Sequence, residues 1–160
     1  MITQSKLKTE LNYNPDTGIF IRIKAKPKVK IGDIAGFLNK KMYVALRLNG
    51  KTYMAHRLAW LYMTGSWPEN QIDHINGIRD DNRIINLRQA TQSENLRNTK
   101  IRKDNAAKIK GINIHKGRWI ARCQIENKRV NLGSFDTKQQ AKKAYDDYAK
   151  ENHGEFYRLN

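Results

Sequence analysis

The residues of this chain that are best suited to chemistry lie in its middle. An aspartate and a histidine are adjacent at Asp73-His74, and two asparagines follow at Asn86 and Asn95. Carboxylate and amide oxygens bind hard divalent cations, and a histidine beside such a cation can take a proton from a water molecule. The combination suits hydrolysis of a phosphodiester, which needs a water activator, a cation at the scissile phosphate and a positive surface.

The sequence around these residues predicts the elements that position them. Residue patterns predict a strand, a polar loop and a returning strand, over 71–75, 76–83 and 86–90. Thr91-Gln92-Ser93-Glu94 has the pattern of a capping box, so we expect a helix to begin at Thr91.

On this arrangement the two ligand types come from different elements. The first strand would present Asp73 and His74 on opposite sides of its backbone. The helix would bring Asn95 against the returning hairpin in its first turn. One carboxylate and one amide oxygen could then meet at a single cation, and the cation would keep positions open for water and phosphate.

The same region resembles the HNH nucleases, in particular the phage and intron-encoded homing type without zinc-ligand cysteines. The resemblance covers roughly residues 11–98. The matching residues are His56-Arg57-Leu58-Ala59-Trp60, Asp73-His74, Asn82, Asn86-Leu87-Arg88, Thr91 and Asn95. It implies a ββα-metal fold, in which a β-hairpin and a helix enclose one divalent metal ion, Mg²⁺ or Mn²⁺.

The resemblance also implies a role for each residue. His74 would be the general base, and Asp73 and Asn95 would be the metal ligands. Asn86 would brace the loop and orient the base. The last position of the motif is Asn here rather than His. His56 precedes an apolar run, so we expect it to be a packed structural histidine.

Residues 1–55 predict β structure. Alternation after the Asn14–Gly18 turn predicts a strand with one apolar face, formed by Ile19, Ile21 and Ile23. The Lys24–Lys30 stretch fits a loop or a solvated edge strand. Asn49-Gly50 between two alternating runs predicts a β-hairpin with a type I′ turn. A short buried helix over 56–63, closed by Gly65, should follow.

Beyond a basic stretch at 99–109, the pattern predicts a second module. Three strands are expected over 111–114, 118–125 and 128–135, with a turn at Glu126-Asn127, and then a helix over about 138–152. This module resembles the AP2 DNA-binding domain. The matching residues are Lys110-Gly111-Ile112, Gly117-Arg118-Trp119-Ile120-Ala121, Asn131-Leu132-Gly133-Ser134-Phe135-Asp136-Thr137, Ala141, Ala144-Tyr145-Asp146 and His153-Gly154-Glu155-Phe156.

Strand alternation divides this module into an inner and an outer face. Trp119, Ala121, Cys123 and Ile125 should face the helix. The outer face would carry side chains that can read base edges in a major groove, namely Arg118, Arg122, Gln124, Arg129 and Asn131. A solvated polar sheet face is the alternative, but no acidic residue occupies these outer positions.

Charge points to a polyanionic partner. The 160 residues include 31 Lys and Arg against 15 Asp and Glu, a formal net charge of +16. Residues 1–55 carry +8 and residues 97–130 carry +9, whereas the intervening 56–96 carry −1. Such a balance favours nucleic acid; a ribosome-associated or merely soluble basic protein is the alternative. No apolar run could cross a bilayer, and we expect no membrane partner.

The single cysteine excludes an internal disulfide. With no apolar signal stretch near Met1, we expect a protein of the reducing cytoplasm. The resemblance to the homing type further implies a bacterial host cell and a gene encoded by a phage. The expected class is α+β: a β-rich N-terminal region leading into a ββα-metal motif, then a three-stranded antiparallel sheet on one helix. We expect domains at 1–98, with the motif at about 71–98, and at 110–160.

The leading interpretation is a site-directed, metal-dependent endonuclease acting on double-stranded DNA. The second module would find the site and the first would cut. A non-catalytic DNA-binding regulator on a nuclease scaffold and an RNA-directed protein are alternatives. The sequence indicates no obligate protein partner, and it does not decide between a monomer and a dimer or between cutting one strand and cutting both. The biological role could be homing, defence or phage genome processing, and the resemblance favours homing.

Overall fold

The computed structural model of the chain describes residues 1–98, 105, 107–125 and 128–153. The chain forms two compact units, Met1–Thr91 and Gln92–Asn160. Most of the predicted linker at 99–109 lies outside the described residues. So do the predicted turn at Glu126-Asn127 and the end of the AP2-like pattern, Gly154-Glu155-Phe156. The proposed domain limits therefore stay a prediction.

The first unit contains three small antiparallel sheets and two helices. Its sheets have the orders β1-β2-β3, β4-β5-β6 and β7-β8. A single 3₁₀ turn, Ile84–Asn86, precedes β8. The elements in chain order are α1 Gln4–Lys8, β1 Leu11–Asn14, β2 Ile19–Arg22, β3 Ile34–Ala35, β4 Phe37–Leu38, β5 Val44–Leu48, β6 Lys51–Met54, α2 Ala55–Thr64, β7 Gln71–His74 and β8 Leu87–Ala90.

The hairpin of β5 and β6 confirms the turn predicted from Asn49-Gly50. Both turn residues have positive φ, 49° for Asn49 and 76° for Gly50, as a type I′ turn requires. Helix α2 follows directly and ends at Gly65, which adopts the left-handed conformation with φ 84°. Its amide donates to Leu61 O at 3.0 Å, so the predicted helix and its stop are both confirmed.

The core of the first unit forms where α1, α2 and the strands meet. Its largest fully buried side chains are leucines, namely Leu7, Leu11, Leu46, Leu48, Leu58 and Leu61. The predicted apolar face of β2 is wrong. Phe20 is 2% exposed, whereas Ile19 and Ile23 are 40% and 38% exposed. The Phe20 ring packs on Tyr13, at 4.7 Å between centroids, and this aromatic contact decides which face of the strand turns inward.

The second unit contains α3 and a three-stranded antiparallel sheet with a long helix. The elements are α3 Gln92–Arg97, β9 Ile112–His115, β10 Arg118–Ile125, β11 Lys128–Phe135 and α4 Lys138–His153. The sheet has the order β11-β10-β9. The strands and the helix lie where the alternation placed them, and the three-stranded sheet with one helix is confirmed.

Helix α4 packs on the inner face of this sheet. Ala121 and Cys123 of β10 and Ala141, Tyr145 and Ala149 of α4 are all buried. Close packing demands a glycine before β9, because a Cβ at Gly111 would lie 2.5 Å from Arg122 O and would overlap the Tyr145 ring. Within the described residues, no helix is long and apolar enough to cross a membrane.

Candidate active site

Asp73 is a buried carboxylate held by an arginine on the neighbouring strand. It lies in β7 directly opposite Arg88 of β8 and is 5% exposed. The Nε and Nη2 groups of Arg88 both donate to Asp73 Oδ2, at 3.0 and 2.9 Å. A carboxylate taken out of water needs such a partner, and the arginine fixes the direction in which the carboxylate points.

His74, the next residue of β7, lies in a pocket made by other rings. It is 4% exposed. Its ring centroid is 5.1 Å from that of His56 and 5.9 Å from that of Tyr43. His56 and Tyr43 also contact each other, at 5.4 Å between centroids. The rings of His56 and Tyr43 hold the imidazole of His74 in one orientation.

Asn82 faces one nitrogen of the His74 ring. Asn82 Oδ1 lies 3.4 Å from His74 Nε2, and Asn82 Nδ2 donates to Asp80 O at 3.0 Å. The hydrogen bond to Asp80 O assigns the orientation of the Asn82 amide, because only the amide nitrogen can donate to a carbonyl oxygen. The oxygen can then only accept, so the contact fits the tautomer with a proton on Nε2 and a lone pair on Nδ1.

The protonation state of His74 follows from its burial. Burial lowers the pKa of His74 below its ordinary value, and the Asn82 contact and nearby Asp73, Asp81 and Asp80 oppose this shift. Since burial is the largest cause, the ring is neutral at neutral pH. A neutral imidazole has the lone pair that a proton acceptor needs.

Asn86 braces the loop between β7 and β8 from inside. Its Nδ2 donates to Asp81 O at 2.8 Å, and its Oδ1 accepts from the Asn76 amide at 3.0 Å. Asp81 is bound within the same loop by Arg83 and Asn76. The hydrogen bond from Arg83 is the main reason why the pKa of Asp81 falls to about 2. Asn86 therefore contacts the loop, and the contact with His74 comes from Asn82.

Two further side chains near His74 had no role in the sequence analysis. The guanidinium of Arg79 lies over the Tyr43 ring, at 5.1 Å, and Arg79 Nη1 donates to Lys41 O at 3.1 Å. Arg79 thus brings a positive charge to the ring that packs on His74. No spacing rule could have found this pair, since Tyr43 precedes β5 and Arg79 lies in the loop after β7.

Asn95 belongs to a different unit from Asp73. It is a half-buried residue of α3, in the unit that starts at Gln92. Helix α3 begins at Gln92, next to the predicted start at Thr91. That Asn95 and Asp73 converge on one cation stays a prediction.

The chemistry of the donors nevertheless fits a hard divalent ion. Asp73 offers an oriented, buried carboxylate and Asn95 an amide oxygen, and Mg²⁺ commonly takes one or two protein carboxylates and fills its shell with water and phosphate oxygens. Among the described residues, no three side chains drawn from His, Cys, Asp and Glu are grouped as around a metal ion.

The predicted DNA-facing residues of the second unit all lie on the exposed side of its sheet. Arg118, Arg122, Gln124, Arg129 and Asn131 are exposed. Arg122 is paired with Asn131, and Gln124 with Arg129. Arg118 differs from the others because its Nε donates to Ser134 Oγ at 2.9 Å and its Nη1 lies 3.3 Å from Asp136 Oδ1. Its guanidinium is thus already bound by the protein.

An antiparallel hairpin that presents a buried carboxylate, a neutral histidine and a braced polar loop has the parts of a hydrolytic nuclease centre. Residues 53–97 match the family model described as HNH endonuclease. The chain thus contains an HNH endonuclease domain over these residues, which implies nuclease activity on DNA, and HNH nucleases generally use a divalent metal ion. No curated protein and no solved structure gives a significant match.

Proposed function

We propose that the protein is a metal-dependent, site-directed DNA endonuclease in which the β7–β8 hairpin carries the chemistry. The observation that carries this proposal is the buried Asp73-His74 pair inside the segment that matches HNH endonucleases. The DNA-reading part would be the outer face of the second unit, as in the AP2-like resemblance. A homing role in a phage-infected bacterium is the setting that the resemblance favours.

His74 acts as the general base. Its Nδ1 takes a proton from a water molecule as the water oxygen bonds to phosphorus and the bond from phosphorus to the leaving sugar oxygen breaks. The leaving oxygen takes a proton from a second water molecule and departs as an alcohol. The Nε2–H group remains on Asn82 Oδ1 and keeps the ring in the reactive tautomer. The pocket of Tyr43 and His56 prevents the ring from turning away.

The remaining residues hold the reacting groups. Asp73 and Asn95 would hold one divalent cation, Mg²⁺ or Mn²⁺. Arg88 donates two hydrogen bonds to the carboxylate of Asp73 and orients it, as residues that bind a metal ligand commonly do. When bound, the ion supplies charge stabilisation at the scissile phosphate. Asn86 keeps the loop from Asn76 to Asp81 in place and so maintains the position of Asn82.

A plasmid assay tests this proposal. Supercoiled DNA from the genomic locus that encodes the protein is incubated with protein and Mg²⁺, and nicked and linear products are quantified. His74→Ala should lose at least about 100-fold in cleavage and retain DNA binding, and EDTA should abolish cutting by the wild type. His115→Ala, which removes an exposed histidine of β9, is the matched control. Cleavage by His74→Ala at the wild-type rate would overturn the assignment of the base.

A non-catalytic DNA-binding protein is the second candidate, and two observations favour it. His74 is only 4% exposed, and Asp73 is already paired with Arg88. This candidate is supported if the wild type binds duplex DNA tightly and breaks neither strand in Mg²⁺ or Mn²⁺. The accumulation of nicked plasmid with either ion excludes it.

A further inference from the structure

A β-hairpin arm extends from the first sheet of the first unit, and the candidate active site does not use it. The arm, residues 22–34, continues the pairing of β2 with β3. The amide of Arg22 donates to Asp33 O at 2.8 Å, and Lys26 and Val29 exchange two backbone hydrogen bonds, at 3.0 and 2.9 Å. The tip is the two-residue turn Pro27-Lys28. The arm is therefore a short hairpin that is paired at its base and at its tip, with a bend at 23–24 and a turn at 31–32 between these two points.

The arm is strongly basic, with four lysines and one acidic residue. Lys24 and Lys26 lie 3.8 and 2.8 Å from the carboxylate of Glu10, a buried residue that ties the arm to the body of the unit. Lys28 and Lys30 are exposed, and within the described part of the chain neither forms an ion pair. The arm's single acidic residue, Asp33, accepts the Lys30 backbone amide at 2.7 Å.

The backbone at the tip adopts a conformation that favours glycine. Lys28 has φ 65°, a left-handed conformation that costs a residue with a side chain about 1 kcal/mol relative to glycine. The tight turn between Lys26 and Val29 accounts for this conformation. The lysine at this position places a positive charge at the tip of the arm.

Large apolar side chains lie beside these charges. Ile31 and Ile34 are 67% and 71% exposed. Isoleucines at such exposure do not contribute to the core. A surface that mixes free lysines and apolar side chains fits the groove of a nucleic acid, where charges meet phosphates and apolar groups contact thymine methyls or base steps.

The arm begins at the end of the β1–β2 hairpin that is opposite its turn, since Arg22 is paired with Leu11 and Ile19 with Asn14. The turn end of this hairpin contacts the segment between β7 and β8, since the Ile84 amide donates to Pro15 O at 3.1 Å and the hydroxyl of Tyr13 in β1 donates to Asn82 O at 2.6 Å. From Gly18 to Lys28 the chain can extend at most about 33 Å. That distance corresponds to roughly ten base pairs of duplex.

We propose that the arm is a second DNA-binding element, which grips the duplex up to about one helical turn from the cleavage site. Lys28 and Lys30 contact backbone phosphates, and Ile31 and Ile34 pack in the groove, which admits a two-stranded ribbon. The proposal rests on the proposed function in that duplex DNA is taken as the partner. An anionic membrane surface is the competing partner, but the arm shares its unit with the HNH segment and has no amphipathic helix.

Binding measurements without cleavage test the arm. Fluorescence anisotropy with a mixed-sequence duplex of about 30 base pairs, in EDTA over a range of salt, gives the slope of log affinity against log salt. Lys28→Asn with Lys30→Gln should make this slope shallower by about 1.8, since each lost phosphate contact removes about 0.9. Asparagine tolerates the positive φ at position 28. The control pair Lys51→Gln with Lys150→Gln removes the same charge at two other exposed positions and should change the slope less.

A second variant tests the apolar part. Ile31→Ser with Ile34→Ser should weaken binding several-fold and leave the salt slope unchanged, because no charge is lost. An unchanged slope in the lysine variant, or an equal change in the control pair, overturns the proposal. Loss of binding to phosphatidylserine vesicles with DNA binding unchanged would also overturn it and would assign the arm to a membrane.

Cleavage is measured separately on the same variants in Mg²⁺. A wild type that binds the duplex through the arm but does not cut contradicts the proposed endonuclease and leaves the arm assigned. If the wild type cuts DNA and the lysine variant keeps the salt slope of the wild type, only the proposed DNA-binding role of the arm is contradicted. Circular dichroism melting verifies that each variant is folded.

Discussion

The imidazole rings of His56 and His74 lie edge to face, with their centroids 5.1 Å apart and an angle of 82° between their planes. His56 is the second residue of α2 and is 8% exposed. Its Nδ1 has no hydrogen-bond partner among the described residues. A proton on His56 would place an uncompensated charge inside the unit, beside Arg57 and His74. The expectation of a packed, structural histidine agrees with this position.

Protonation of His56 should therefore oppose folding in acid. Burial, with smaller effects of His74 and Arg57, lowers the pKa of His56 to about 3. In the unfolded chain a histidine titrates near ~6.5, so the unfolded state binds the extra proton between these values. The contribution of the neutral His56 to the free energy of unfolding should be fully present above about pH 6.5. It should be lost progressively as the pH decreases towards 3.

His56→Phe keeps a ring of similar shape and removes the titration. Between about pH 6.5 and 4.5 it should lose about 2–3 kcal/mol less stability than the wild type. Urea unfolding at the two pH values measures the difference, and His115→Phe, at an exposed position, should behave like the wild type. Equal pH dependence in His56→Phe and wild type would contradict the neutral, buried state of His56.

The pair of Asp73 and Arg88 should respond asymmetrically to substitution. The side chains of Arg88 and Asp73 are 12% and 6% exposed, so Arg88→Met leaves a carboxylate without its partner in the interior and should cost about 3–5 kcal/mol. Asp73→Asn with Arg88→Met should recover part of this loss, because no buried charge remains. A urea-unfolding double-mutant cycle gives the coupling energy. A cost below about 1 kcal/mol, typical of surface pairs, would show that water reaches the pair.

Much of the fold could be predicted because the decisive signals are local. Asn49-Gly50 favours one turn geometry, and the alternation along β10 reflects burial on one side of the strand. The face of β2 was mispredicted because three isoleucines outnumber one phenylalanine in the sequence. The core selects Phe20 through its ring contacts with Tyr13 and Tyr62, and a contact between distant elements is not encoded in the period of one strand.

The candidate site was predictable in its residue types and only partly in its contacts. Asp73 and His74 follow from chemistry and from the resemblance. Asn82 is one of the residues that carry the resemblance, but the resemblance gives it no role, and it assigns orientation of the base to Asn86. In a loop without periodicity, the hydrogen bonds of the folded structure decide which amide meets the histidine. Tyr43 could not be foreseen, because it comes from another hairpin.

Two arginines of the outer sheet face should contribute unequally to DNA reading. Arg122 extends from an exposed strand position opposite Asn131, whereas Arg118 is bound by Ser134 and Asp136. Arg122→Ala should cost about 1–3 kcal/mol in binding to a preferred sequence. Arg118→Ala should cost less than about 1 kcal/mol, since the side chain must first leave its partners.

Selection of a preferred duplex from a random pool, followed by binding titrations of both variants, measures this difference. Lys143→Ala, on the exposed side of α4, controls for loss of one charge. A larger loss of affinity for Arg118→Ala than for Arg122→Ala would contradict this prediction. It would mean that the ion pair with Asp136 holds Arg118 in place for DNA binding and does not keep it from the DNA.

Gly18 should be as important for the candidate site as residues in the loop between β7 and β8. A Cβ at Gly18 would lie 2.5 Å from the backbone carbon of Asn82 and 2.5 Å from the Arg83 nitrogen, so Gly18→Ala must push the loop that carries Asn82. Gly50 has nearly the same φ, 76° against 73°, but nothing lies within 4 Å of its Cβ position. Gly50→Ala is therefore a matched control that carries the same backbone strain, about 1 kcal/mol, without the clash.

Gly18→Ala should lose clearly more stability than Gly50→Ala in urea unfolding, and nicking by its folded fraction should slow at least about tenfold because Asn82 no longer meets His74. Equal stability and equal nicking rates in the two variants would show that the β1–β2 turn does not determine where the loop lies.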